Sequence, residues 1–182
     1  GHGLHEALFH AKFQKYMKFA IMFEASERWA GTDEKDMLEN LMPFWMENYF
    51  KRGNYLLIDN KPVLFVYNQR RLSECFESIE SQRKTFDACR EYARKCGFDG
   101  MIFAVEGMIR SKEQHAEHLM RGYDFQFGYT AGYIAPYDFY PNEDDIVEQQ
   151  CNLLAKNLEI GESTFIATPS PFRDPTPRFS QR

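Results

Sequence analysis

The sequence has few of the features that reveal a protein's environment directly. None of its 182 residues belongs to an apolar run approaching the roughly 20 residues of a membrane-spanning helix, and the start Gly1-His2-Gly3 does not resemble a signal peptide. A formal net charge of −5 and short, scattered basic groups argue against a polyanionic partner. We therefore expect no membrane span and no nucleic-acid partner, and the sequence leaves the compartment undetermined.

Paired cysteine motifs are also missing. The four cysteines lack the C-x-x-C spacing of zinc and redox sites. Cys89 and Cys96 lie seven residues apart and so share one face of a predicted helix. That face also carries Phe86 and Ala93, which favours buried free thiols over disulfides or ligands.

The histidines and glycines form no motif that binds a metal or a phosphate. The spacing of His2, His5 and His10 matches no metal site. His115 and His118 lie three apart on a predicted helix, and we expect them to face the solvent. The chain has neither a glycine-rich phosphate loop nor a G-x-S-x-G elbow. The sequence therefore predicts no metal and no cofactor.

The sequence does contain a regular alternation of short apolar runs and amphipathic segments. The run Val63–Tyr67 follows a turn, is continuously apolar and stops at polar residues, which is typical of a buried parallel strand. Similar runs and helical periodicities recur along the chain. The predicted strands are Phe19–Phe23, Val63–Tyr67, Met101–Val105, Phe125–Phe127 and Phe165–Thr168, and the predicted helices are Leu4–Tyr16, Thr32–Phe50, Ile79–Cys96, Ser111–Met120 and Asp144–Leu158.

This alternation predicts an α/β fold with a parallel sheet. About five strand-helix units are visible, whereas a complete eight-stranded barrel needs roughly 250 residues. Two architectures remain open, an incomplete parallel (β/α) barrel of the TIM type and a doubly wound α/β sheet. We assign residues 1–168 to the barrel-like domain and the proline-rich residues 169–182 to a loop or tail. Five units cannot close a barrel of eight, so we expect an unsealed sheet edge that favours a homo-oligomer.

Polar residues follow several predicted strands and so gather at one edge of the sheet. Carboxylates come from different strands, at Glu27 and Glu106. Two such carboxylates are the minimum for acid-base or nucleophilic chemistry on a sugar, because burial raises one pKa while the partner stays ionised. Aromatic residues in the same loops suit stacking on a sugar ring. The alternative is that the glutamates pair with Arg28, Arg70 or Arg110 and only hold loops together.

Three separated segments resemble the glycoside hydrolase family 99-like proteins, a group that includes WbsX-type glycosyltransferases of polysaccharide loci. The first is Lys18–Phe23 followed by Ser26-Glu27-Arg28-Trp29. It resembles the family's strand ending in W-A-N-E-x-W, with Glu27 and Trp29 matching and Glu24 and Ser26 departing from the pattern.

The other two segments match the family in the same order along the chain. Residues 59–67, D-N-K-P-V-L-F-V-Y, resemble its G-K-P-V-hydrophobic-Y strand, with Asn60 in place of glycine. Asp174-Pro175-Thr176-Pro177-Arg178 resembles its D-x-x-P-R loop, although Phe172-Arg173 replaces the usual aromatic residue before the aspartate.

The resemblance implies a (β/α)8 barrel that acts on glycans. Relative to the family pattern, the chain lacks the first strands and stops before the E-W-x-E-G motif, where the endo-acting mannosidases keep their catalytic carboxylates. Those catalytic residues therefore have no counterpart in this sequence. The candidate catalytic residues here are Glu27 and Glu106. The candidate substrate contacts are Glu24, Trp29, Tyr67, Asn68, Tyr129, Asp174 and Arg178.

Three functions follow from these residues, all with a glycan as the partner. Hydrolysis of a glycan or polysaccharide is favoured. Glycosyl transfer in polysaccharide biosynthesis is the near alternative, but a nucleotide-sugar donor requires a pyrophosphate site and the sequence shows none. The third is a non-catalytic glycan-binding domain, which would keep the aromatic residues and tolerate the loss of the carboxylates.

Overall fold

The computed structural model describes residues 3–25, 32–128 and 143–168 of the chain. Its centre is a six-stranded sheet. The strands are β1 (Ile21–Glu24), β2 (Leu57–Ile58), β3 (Lys61–Tyr67), β4 (Ile102–Glu106), β5 (Phe125–Phe127) and β6 (Phe165–Ile166). Five of them pair in parallel in the order β1-β3-β4-β5-β6, and β2 forms a short antiparallel hairpin with β3. The prediction of five parallel neighbours in one sheet is confirmed.

The strand order of the sheet contains no reversal over the described residues. A doubly wound sheet reverses its strand order at a switch point. Here each described parallel strand lies beside the previous parallel strand in the chain, and only the antiparallel hairpin strand β2 stands outside this order. Over the described residues the sheet is open, with β1 and β6 at its edges. The α/β class is therefore confirmed, and the pairing of two copies through an edge stays a prediction.

Five helices accompany the strands in residues 32–128 and 143–168. They are α1 (residues 34–50), α2 (Gln69–Ser73), α3 (Ile79–Lys95), α4 (Lys112–Met120) and α5 (Glu143–Gly161). Helix α1 alternates α-helical turns at Glu34–Asp36 and Met42–Trp45 with wider π-helical turns at Met37–Leu41 and Met46–Phe50. In the part of the chain that the structure describes, no helix is long and apolar enough to span a membrane.

The helix starts follow from local hydrogen bonds. At α3 the Ser78 hydroxyl accepts from the Ser81 amide and the Ser81 hydroxyl accepts from the Ser78 amide, a reciprocal capping box. At α4 the Ser111 hydroxyl accepts from the backbone amide of Gln114. Each cap satisfies amide groups that the helix itself leaves unpaired, which fixes where α4 begins beside the end of β4.

The prediction of one amphipathic helix over Leu4–Tyr16 is wrong. The structure has three short turns there, Gly3–Ala7, Leu8–His10 and Gln14–Tyr16. The first half packs on the core, where the Arg52 guanidinium lies 3.5 Å from the centre of the Phe9 ring. Further along, Phe13 and Tyr16 are 63% and 74% exposed. Because short helices depend on packing for their stability, a segment without a continuous buried stripe does not form one long helix.

The two faces of the sheet have different surroundings. Side chains alternate between faces along a strand, and one set, which includes Leu64, Phe103 and Val105, lies in the same core cluster as buried residues of α1 and α3. There the ring of Phe86 stacks on Phe103 at 4.0 Å between centroids. The opposite set holds the polar strand ends and several partly exposed apolar residues. Its members include Met22, Glu24, Phe65, Tyr67, Glu106 and Phe127.

Tyr55 connects the first two parallel strands through its side chain. Its ring is fully buried, and its hydroxyl donates to the Val63 carbonyl at 2.7 Å and accepts from the Ile21 amide at 3.2 Å. Burial raises the pKa of this phenol well above its ordinary value. One hydroxyl thus satisfies backbone groups of β1 and β3 at the edge of the sheet.

Tyr55→Phe should destabilise the chain by about 1–3 kcal/mol, because it leaves a buried amide and a buried carbonyl without their partner. Chemical denaturation would measure the loss. Tyr16→Phe is the matched control, since Tyr16 is exposed and its substitution should change the free energy of unfolding by less than about 0.5 kcal/mol. Equal effects in the two variants would contradict the role assigned to the Tyr55 hydroxyl.

Candidate functional site

Three of the predicted site residues form a row across the carboxyl ends of the strands. Glu24 at the end of β1 is in register with Tyr67 at the end of β3. Val66 pairs with Val105, so the next residues, Tyr67 and Glu106, are neighbours on the same face. Adjacent strands lie roughly 4.8 Å apart, which puts the backbones of Glu24 and Glu106 about 10 Å from each other. The sheet therefore presents two carboxylates with a tyrosine between them.

A cavity of about 600 Å³ opens at the ends of β3 and β4. Helix α4 contributes Gln114 and His118 to its wall and α5 contributes Leu153. The remaining lining residues follow the two strands: Asn68, Gln69, Arg70, Glu106, Gly107, Met108 and Arg110. The carboxyl ends of parallel strands are the usual place for a ligand in such folds, and the mixture of amides, guanidinium groups and a carboxyl suits a polar ligand.

The backbone takes unusual conformations where the two strands enter this cavity. Asn68 has φ 60° and ψ 50°, in the left-handed region that asparagine tolerates better than most residues. Gly107 has φ +135°, a value open to glycine because it has no Cβ. These conformations turn the chain sharply, from β3 into α2 and from β4 into the loop before α4. A non-glycine residue in the left-handed region, as at Asn68, is a feature that concentrates at functional sites.

Glu106 is the carboxylate of the cavity. Its side chain is half-buried, and desolvation raises its pKa above the ordinary value while the charge of Arg110 opposes part of that rise. Arg70 directs its guanidinium to Glu74 at 3.1 Å instead. Among the described residues no cation lies within ion-pair distance of Glu106. The structure therefore shows no ion pair between Glu106 and Arg70 or Arg110.

The prediction that His115 and His118 face the solvent is wrong. They are 7% and 3% exposed. Their Nδ1 atoms lie 3.0 and 3.2 Å from the same oxygen, Oε1 of Gln126 in β5. Helix α4 has few apolar residues to turn inward, so it buries histidines and pairs them with the amide of a strand residue. The available signal was Gln126 itself, a polar residue between two phenylalanines in a predicted buried strand.

The amide of Gln126 is oriented by a third hydrogen bond. Its Nε2 donates to the Gly107 carbonyl at 2.8 Å, so Oε1 points to the histidines and accepts from both Nδ1 atoms. His115 also contacts the Thr164 hydroxyl through Nε2 at 2.8 Å. Burial lowers the pKa of His118, which keeps that ring neutral near pH 7.

Helix α5 is hydrogen-bonded to the loop that follows β4. Asn157 is fully buried, its Oδ1 accepts from the Ile109 amide, and its Nδ2 donates to the Leu153 carbonyl at 2.8 Å. At the helix end a Cβ on Gly161 would lie 2.6 Å from Cδ1 of Ile109 and 2.7 Å from Cβ of Phe165. Only glycine fits there, and the close approach holds the loop after β4 against α5.

The structure brings together only part of the predicted site. Glu24, Tyr67 and Glu106 share the row of strand ends, and Asn68 and Glu106 line the cavity, which Glu24 and Tyr67 do not. The remaining candidates lie outside the described residues: Glu27, Trp29, Tyr129, Asp174 and Arg178. Sequence reasoning missed Gln114, His118 and Gln126 as site residues.

Comparisons with known proteins found no match. No protein-family model matches the chain, and neither the curated proteins nor the solved structures include a match.

Glu106→Gln should stabilise the folded chain near pH 7. The folded-state pKa of Glu106 is raised, so its contribution to stability is present below the unfolded value of 4.5 and is lost as the pH rises through the folded-state pKa. Glutamine removes the cost of burying a charge, and the gain should disappear near pH 4. Urea denaturation at both pH values measures it. A variant less stable than the parent at pH 7 would show that Glu106 is held by an ion pair.

Proposed function

We propose that this chain is a (β/α) barrel-like, glycoside hydrolase-like domain that acts on a glycan, with Glu106 as a catalytic carboxylate. The observation that carries the proposal is the position of Glu106. It ends a buried parallel strand, stands beside Tyr67 in the row of strand ends, and lines a polar cavity in which burial favours its protonated form. A general acid in glycoside cleavage requires a carboxyl group whose pKa is raised above its ordinary value, and burial shifts the pKa of Glu106 in that direction.

The sheet topology supports the barrel-like part of this proposal. In a (β/α) barrel every strand lies beside its predecessor and the helices cover the outer face. The parallel strands here follow that order without reversal, and the core cluster joins one sheet face to residues of α1 and α3. The opposite face, which carries Glu24, Tyr67 and Glu106, then corresponds to the barrel interior and its mouth.

In the proposed reaction Glu106 donates a proton to the oxygen of the scissile glycosidic bond as that bond breaks. A second carboxylate completes the chemistry, either as a nucleophile at about 5 Å from the acid or as a base that activates water at a longer distance. Glu27, two residues beyond Ala25, is the residue proposed for that role. Tyr67 and Asn68 would contact the sugar through a ring face and a side-chain amide.

Turnover by the 182-residue chain on a panel of defined oligosaccharides tests the proposal. Glu106→Gln should reduce kcat by at least about 100-fold, because general acid catalysis contributes roughly 10²–10⁴-fold, and it should retain substrate binding. Glu39→Gln, in an exposed position of α1, is the matched control and should keep full activity.

Two results would separate the competing functions. Glycan binding without turnover, unchanged by Glu106→Gln, would replace catalysis with a glycan-binding role. Product formation only in the presence of a nucleotide-sugar donor would favour glycosyl transfer over hydrolysis. A chain that neither binds nor converts any glycan of the panel would contradict the proposal as a whole.

A further inference from the structure

A short chain of hydrogen bonds connects the backbone behind Glu106 with the ring of His118. The Gly107 carbonyl accepts from Gln126 Nε2 at 2.8 Å, and Gln126 Oε1 lies 3.2 Å from His118 Nδ1. An amide oxygen can only accept, so the neutral ring carries its proton on Nδ1. Its other nitrogen, Nε2, is then left with a free lone pair.

The His118 side chain lies beside the cavity that Glu106 also lines. Within the described residues, no buried side-chain nitrogen or oxygen lacks a hydrogen-bond partner. Nε2 of His118 has no partner among the residues that the structure describes, so it lies at the accessible part of the ring. The ring is otherwise enclosed, with Tyr123 packed edge-on at 6.0 Å between centroids.

His115 provides an internal contrast one turn earlier on the same helix. Both of its ring nitrogens have partners, Gln126 Oε1 at 3.0 Å and Thr164 Oγ1 at 2.8 Å. It does not line the cavity. Of this pair of buried histidines, His118 alone offers a nitrogen to a ligand.

We propose that His118 is a ligand-binding residue whose Nε2 accepts a hydrogen bond from a hydroxyl group of a neutral sugar in this cavity, with Gln126 as the positioning residue. The choice of a sugar hydroxyl rests on the function proposed above. The role of acceptor follows from the hydrogen-bond chain alone. A neutral imidazole with Nδ1 already used requires a donor on the ligand, and sugar hydroxyls are donors. Burial of the ring supports this role because it lowers the pKa of His118 and disfavours the cation.

Carbethoxylation by diethyl pyrocarbonate tests the free nitrogen directly, because the reagent attacks accessible, unprotonated imidazole nitrogens. Peptide mapping by mass spectrometry after brief treatment at pH 7 should find His118 modified and His115 spared. The methyl glycosides of mannose, glucose and galactose serve as probes, and at least one should slow modification of His118 without changing that of the exposed His10.

His118→Asn is the informative variant, since the asparagine Nδ2 can replace the donor to Gln126 while no group replaces Nε2. It should keep the thermal stability of the parent within about 2 °C and weaken binding of the protecting glycoside about tenfold, the loss expected for one hydrogen bond. His10→Asn is the matched control and should bind normally.

The outcomes separate this inference from the proposed function. An unreactive His118, or equal modification of His115 and His118, would overturn the acceptor role even if the chain hydrolyses a glycan. A reactive His118 that no glycoside protects would overturn the sugar assignment. Protection that His118→Asn abolishes would support the inference even if the chain shows no turnover.

Discussion

The hydrogen bonds of the Gln126 side-chain amide are the interactions on which the rest of the site depends. A buried amide is costly unless its donor and acceptor are both paired, and this one satisfies the Gly107 carbonyl and the Nδ1 groups of His115 and His118 at once. It therefore links the turn after β4 to α4 and assigns the tautomer of the His118 ring. Replacing it would remove the partner of the Gly107 carbonyl and of the Nδ1 atoms of two buried histidines. Glu106 lies one residue before Gly107, whose carbonyl accepts a hydrogen bond from this amide.

The open sheet gives this local network a place in the fold. Parallel strands in chain order put all their carboxyl ends at one edge, and the register places Glu24, Tyr67 and Glu106 in one row there. Asn68 and Gly107 then turn the chain out of β3 and β4 through left-handed and positive-φ conformations. The cavity lies where these two turns meet α4 and α5. The fold thus explains why polar residues that are far apart in sequence line one cavity.

Much of the fold could be predicted from the sequence, because buried parallel strands have a strong local signal. The apolar run before Asn68 and the run before Glu106 each stop where the strand stops. The N-terminal segment could not be predicted in this way, since Phe13 and Tyr16 have helical spacing but do not pack on the core. The periodicity of apolar residues shows which residues would share one face of a helix. It does not show whether another element of the fold covers that face.

The candidate site was predictable only in part. Glu24, Tyr67, Asn68 and Glu106 could be placed at strand ends because position in a strand is a local property. His118 could not, because its burial depends on a hydrogen bond to Gln126, which lies eight residues later in β5 and meets α4 across the sheet-helix interface. Pairing of these buried polar groups depends on how α4 packs against β5, and a single sequence indicates it only through an unexplained glutamine between Phe125 and Phe127.

The most direct test of Glu106 as the acid of this site is a pH titration of its side-chain carboxyl. The carboxyl carbon chemical shift, measured by NMR on selectively labelled protein, reports the titration. The Glu106→Gln variant assigns the signal. We predict a midpoint above the ordinary value of 4.5, because burial outweighs the attraction of Arg110. A midpoint at or below 4.5 would show a solvated or ion-paired carboxylate and would contradict the assignment of Glu106 as the acid of this site.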